Sequence, residues 1–127
     1  MEISRFVDES KEYLAKGDAI QASEKLYKAV EECIKVLAER YKLPEYKRAK
    51  KERRWYSYLL GQAAGRMAKD LNQSKIEDVW ARAFNIHVWG FHEGKFGVDI
   101  IRQNIPYVEW LVNFVKDQED KEKRGTI

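Results

Sequence analysis

The 127-residue chain is short of the residues that make sites and stops: it has one cysteine, two histidines, two prolines and seven glycines. Cys33 alone cannot close an intrachain disulfide. A closed structural zinc site needs about four clustered Cys or His ligands, more than this chain offers, so neither a metal nor another cofactor is expected. With so few prolines and glycines, long stretches run uninterrupted, which disfavours disorder and sheet-rich folds. No run approaches the roughly eighteen apolar residues of a membrane span. The opening residues Met1, Glu2, Ile3, Ser4 and Arg5 lack the basic-then-apolar layout of a signal peptide. We therefore expect a cytoplasmic protein with no membrane partner.

What is present suits a single all-α domain over residues 1–127. Apolar residues make up 44% of the chain, and four Trp, seven Tyr and five Phe can fill a core. Charged residues make up 35%, with both signs interspersed, for a net charge of only +3. The basicity is local. Lys42 to Tyr56 holds seven basic residues against Glu45 and Glu52, leaving 17 basic and 19 acidic residues, a net −2, elsewhere.

Periodicity predicts an antiparallel bundle of about five helices. Ile3, Phe6, Val7, Ser10, Tyr13 and Leu14 recur at three and four, so a first helix runs from about Glu2 to Ala15 and stops at Gly17. Asp18 followed by Gln21 reads as a capping box. The stripe Ala19, Ala22, Leu26, Ala29, Val30, Cys33, Ile34, Leu37, Tyr41 then carries a second helix to Pro44. Its alanines allow the close approach that a hairpin of these two helices needs. A third helix starts between Pro44 and Lys51 and sends Trp55, Tyr58, Leu59, Gln62, Ala63, Met67 and Leu71 towards a core, ending near Asn72. Its Gly61 and Gly65 each cost roughly 0.5–1 kcal/mol relative to alanine. A close helix crossing would offset that, and room for a ligand is the alternative.

Ser74 with Glu77 reads as a second capping box, opening a fourth helix that runs to about Glu93 before Gly94 and Gly97. At 100° steps, Trp80, Phe84, Val88 and Phe91 fall on one flank and Ile76, Val79, Ala83 and Ile86 on the other, with His87 between them. A helix so apolar is central or shared with another subunit. Trp89 points away from the stripe and has no evident partner in the chain. A last segment from about Val98 to Lys116 contains Pro106, which predicts a kink or break near Asn104. Residues 117–127 read as a frayed tail.

Two blocks carry a family resemblance. GDAIQASEKLYKAVEECIKVLAERY and IHVWGFHEGKF, spanning roughly Gly17 to Phe96, resemble the archaeal PaREP family of small helical proteins, which brings no established activity. That family in turn resembles the HEPN helical bundles, which include noncatalytic partners of nucleotidyltransferases and metal-independent ribonucleases. The resemblance implies a HEPN-like fold and, as one possible partner, a nucleotidyltransferase-type protein. HEPN ribonucleases carry an Arg followed four to six residues later by a His at a dimer interface. Arg82 and His87 have that spacing, with His87 as acid or base and Arg82 on the phosphate. The family's polar residue after the Arg is replaced by Ala83, and five α-helical steps set the two side chains about 140° apart.

Three functions follow from different classes. A noncatalytic interaction module, homodimeric through Trp89 and His92 of the fourth helix, fits the lack of a catalytic constellation. A metal-independent ribonuclease would use Arg82 and His87. A nucleic-acid binder would use Lys47, Arg48, Lys50, Lys51, Arg53 and Arg54, interleaved with Tyr46, Trp55, Tyr56 and Tyr58 for stacking. Positive charge near a helix N-terminus would oppose the macrodipole and point to an external anion. His92 with Glu93, near Asn85 and Asp78, could help ligate a metal, but matches no recognised spacing.

Overall fold

The computed structural model describes residues 2–125, and its regular structure is entirely helical. Among these residues, six α-helices follow in order: α1 (Glu2–Ala15), α2 (Ala19–Arg40), α3 (Pro44–Glu52), α4 (Ser57–Asp70), α5 (Ser74–Asn85) and α6 (Val98–Gly125). A π-helical segment, Ile86–His92, continues α5.

The centre of the bundle is α2, not the aromatic fourth helix, and α2 touches every other element. Ala22, Leu26, Ala29, Val30, Cys33, Ile34, Leu37 and Ala38 are fully buried. Each such Leu, Ile or Val contributes about 1.5–3 kcal/mol on burial, several times any helix-propensity difference at the same position. Burial also pushes the Cys33 thiol well above its ordinary range, so the free cysteine is an inert core residue. The expected α1–α2 hairpin forms. Gly17 takes φ +78°, and Asp18 Oδ1 accepts from the Gln21 amide at 3.0 Å. Buried Ser10 donates to the Ala22 carbonyl at 2.8 Å, so this polar side chain in the seam is satisfied.

The expected third helix is two helices, which brings the count to six. Arg53 sits at φ +56°, and the Arg54 amide reaches back to the Ala49 carbonyl at 3.0 Å, closing α3 in a Schellman-type turn. Tyr58 consequently faces solvent at 53% exposure instead of entering the core. At the start of α5, Ser74 is already helical and Gln73 is the cap residue, with no side-chain cap bond, so the second capping box is absent. Its Glu77 instead reaches α4, where a β-carbon at Gly65 would lie 2.9 Å from Glu77 Oε2. A β-carbon at Gly61 would lie 3.0 Å from Trp80 Nε1. The two glycines serve a close α4–α5 crossing.

No break interrupts α6 at Pro106. The proline lies on the exposed face, where water can take up the carbonyl it leaves unpaired, while Ile101, Ile105 and Val108 stay buried on both sides of it. The helix continues through the residues expected to fray. Tyr41 donates to Gln118 at 2.8 Å and Arg40 pairs with Glu122 at 3.0 Å, while residues 126–127 lie outside the described residues. Among the described residues, no helix is long and apolar enough to cross a membrane.

The π segment meets α2 at Gly90. A β-carbon there would lie 2.9 Å from Ser23 Cβ and 3.4 Å from Ile101 Cδ1, and Ser23 is itself fully buried. Gly90→Ala should therefore destabilise the protein by roughly 1–3 kcal/mol through overpacking, read as a lower urea midpoint at unchanged slope.

Glu45 is buried and accepts two bonds from Arg66, both at 2.9 Å. The Arg66 guanidinium holds its carboxyl below the ordinary range against the opposing cost of burial. A carboxyl depressed on folding stabilises above its unfolded pKa of about 4.3 and loses that stabilisation as pH falls through the folded value. Arg66→Met should thus destabilise the protein at pH 7, and its deficit relative to the wild type should shrink as pH falls below about 4.3 in parallel denaturation curves.

Candidate functional site

Two regions hold the candidate residues. The first is α3 and its exit, where Lys47, Arg48, Lys50, Lys51, Arg53 and Arg54 are all exposed. Arg48 pairs with Glu52 at 3.1 Å, and no ion pair among the described residues joins the other five to a carboxylate. The macrodipole does not oppose this charge: Lys50 and Lys51 lie in the last turn of α3, where positive charge is favourable, and Glu45 in the first. Beyond them the Arg54 guanidinium lies 4.6 Å from the Tyr56 ring centroid, and Tyr56 stacks on Tyr58 at 5.8 Å. Next to this stack, Ser57, Tyr58, Gly61, Trp80 and Phe84 line a cavity of about 240 Å³. It opens beside a wider groove of about 750 Å³ between α4 and α5.

The second region is the end of α5 and the π segment. Arg82 and His87 engage different partners. Arg82 contacts Asp78 at 3.4 Å, donates to Asn104 Oδ1 at 3.3 Å and lies 3.7 Å over the Tyr107 ring, so it faces α6. His87 faces α2, stacked on Tyr27 at 4.0 Å with the rings 19° from parallel. Burial, and then the nearby His92, lower the His87 pKa, which favours a neutral ring. Burial likewise raises the Tyr27 hydroxyl to about 12. The two side chains of the Arg-to-His spacing are not assembled around a common partner.

The π turn instead joins His87 to His92, with the two Nε2 atoms 3.1 Å apart. Five residues along an α-helix would separate them by about 140°. The wider turn, whose bonds span five residues, carries both to one side. Its signature bond runs from the Glu93 amide to the Val88 carbonyl at 2.9 Å. Nδ1 of His87 is buried with no hydrogen-bond partner. The proton of the contact therefore belongs on His87 Nε2, donated to His92 Nε2, because the other tautomer would bury an unsatisfied donor. Trp89 is 46% exposed and Phe84, expected in the apolar stripe, 38% exposed.

Sequence reading missed Tyr27, Asn104 and Tyr107 as partners of the candidate pair. Tyr27 directly follows a stripe residue on α2, and that adjacency was the available signal. Asn104 and Tyr107 meet Arg82 only through the tertiary fold and left no local trace.

Known proteins bear on this architecture. The model of the archaeal PaREP1/PaREP8 family matches residues 1–112. A crystal structure of a protein from Sulfolobus solfataricus superposes with a TM-score of 0.82 at 33% identity, covering 92% of this chain and 95% of that one. A solution structure of the Orf c02003 protein superposes with a TM-score of 0.80 at 33% identity, covering 92% and 90%. No curated protein matches the sequence. With the family model spanning all but the last turns of α6, this chain belongs to the archaeal PaREP1/PaREP8 family.

Proposed function

We propose that the protein is a noncatalytic interaction module whose partner is a single-stranded nucleic acid laid along α3 and the start of α4. The observation that carries this reading is the set of five exposed cations without carboxylate partners, followed at once by the Arg54–Tyr56–Tyr58 stack. Ordinary solubilising charge on a helix is interleaved with the opposite sign and pairs with it, as Lys35 does with Glu31 at 3.4 Å. Unpaired cations in a row suit phosphates at strand spacing, and an exposed tyrosine offers a base a face to stack on whatever its sequence. The ribonuclease reading lacks comparable support, because Arg82 is held by α6 while His87 stacks on α2.

Binding of a fluorescent single-stranded RNA, followed by anisotropy in EDTA across salt concentrations, tests this. Four phosphate contacts give a log–log salt slope of about −3, with the RNA recovered intact. Reversing Lys50, Lys51, Arg53 and Arg54 to glutamate should cost at least about tenfold in affinity and flatten the slope. Unchanged binding removes the reading. Cleavage by the wild type that disappears in His87→Ala replaces it with catalysis.

A second reading rests on Trp89. Tryptophan is among the residue types most enriched in interface anchors, and Trp89 has 46% of its surface in solvent; we assign it to a second copy of this chain. His92, the other residue expected there, is exposed and hydrogen-bonded to His87. Light scattering should then give about 30 kDa, twice the 15.0 kDa chain, and about 15 kDa for Trp89→Ala. A wild-type mass of about 15 kDa at micromolar concentrations eliminates the dimer.

A further inference from the structure

The histidine pair of the π segment brings two imidazole Nε2 atoms together on one side of the turn. Its two Nε2 atoms are 3.1 Å apart, the rings meet nearly edge-on at 78°, and His92 is exposed. Imidazole nitrogens bind late first-row divalent ions at about 2.0–2.1 Å. Two nitrogens 3.1 Å apart subtend an angle of about 95–102° at an ion held at that distance. The value falls between the right angle of square or octahedral sites and the tetrahedral angle, so the pair has the bite of a two-histidine chelate.

We propose that His87 and His92 form a solvent-open chelating site for a divalent transition-metal ion of the Zn²⁺ or Cu²⁺ class. The π turn makes the site. In an α-helix the same two residues would diverge, whereas here the Tyr27 ring fixes His87 from one side and the exposed His92 adjusts to the ion from the other. Among the described residues no third Cys, His, Asp or Glu completes a cluster, so the remaining coordination positions belong to water or to an oxygen donor from solution. Two histidines provide no charge of their own, which selects ions that prefer imidazole over Ca²⁺ or Mg²⁺.

The proton that bridges the pair must leave Nε2 when the ion arrives. On His87 it moves to Nδ1, which is buried and has no acceptor. Metal-bound histidines ordinarily donate that proton to a neighbour, and its absence weakens a site. The expected affinity is therefore below that of a site with a supporting acceptor, with Cu²⁺ ahead of Zn²⁺ as the general order of divalent affinities requires.

Titration of untagged wild type, His87→Ala and His92→Gln with Zn²⁺ and with Cu²⁺ in a calorimeter tests the proposal. His92→Gln alters an exposed side chain and leaves the core intact, so it remains informative if His87→Ala fails to fold. Chelation predicts one ion per chain for the wild type, a loss of at least about tenfold in affinity in His92→Gln, and a rise in thermal midpoint with Zn²⁺ in the wild type alone. A loss of twofold or less in His92→Gln means two independent monodentate histidines and overturns the chelate. Absence of saturable binding of either ion by the wild type overturns it as well.

Discussion

The close approach of the π segment to α2 at Gly90 governs the functional end of the bundle. With no side chain at that position, the backbone lies against buried Ser23 and Ile101, and any added carbon would push it away. The contact fixes how the chain leaves α5. Once the backbone is held there, the extra residue of a wider turn is accommodated within Ile86–His92, and both histidines come round to the same side. Tyr27 lies four residues, about one helical turn, after Ser23 on α2, so the surface that receives Gly90 also supplies the ring on which His87 stacks.

Charge is arranged independently of this end. The short α3 turns its cations outwards, while its buried Glu45 is claimed by Arg66 of α4 and contributes nothing to the exposed field. The break after α3 has a functional consequence. Had α3 and α4 been one helix, Tyr58 would have followed the stripe into the core; the turn at Arg53 leaves it exposed beside Tyr56 and at the mouth of the α4–α5 groove. The exposed basic residues of α3 thus lead directly into the Arg54–Tyr56–Tyr58 stack.

Features set by local chemistry were legible in the sequence. The α1–α2 hairpin, the Gly17 stop and the Asp18 cap each depend on residues within a few positions of one another, and the Gly61–Gly65 crossing left a trace as two otherwise costly glycines. What was not legible depended on tertiary forces. Arg53 ends α3 in a left-handed conformation that glycine usually takes, so no residue announced the break. Pro106 announced a break that does not occur, because buried side chains on both sides hold α6 together. Among the site residues, the exposure of the basic stretch was foreseen from composition. The partners of Arg82 and His87 were not, because an α-helical projection at 100° per residue cannot represent a turn whose bonds span five residues.

The most direct test of the account is a through-hydrogen-bond NMR coupling measurement on the Glu93 amide. The π turn requires its coupling partner to be the Val88 carbonyl, five residues back, as the 2.9 Å bond places it. Coupling to the Trp89 carbonyl, four residues back, would mean an ordinary α-helix that carries His87 and His92 apart, and would contradict the arrangement on which the functional end of this protein is built.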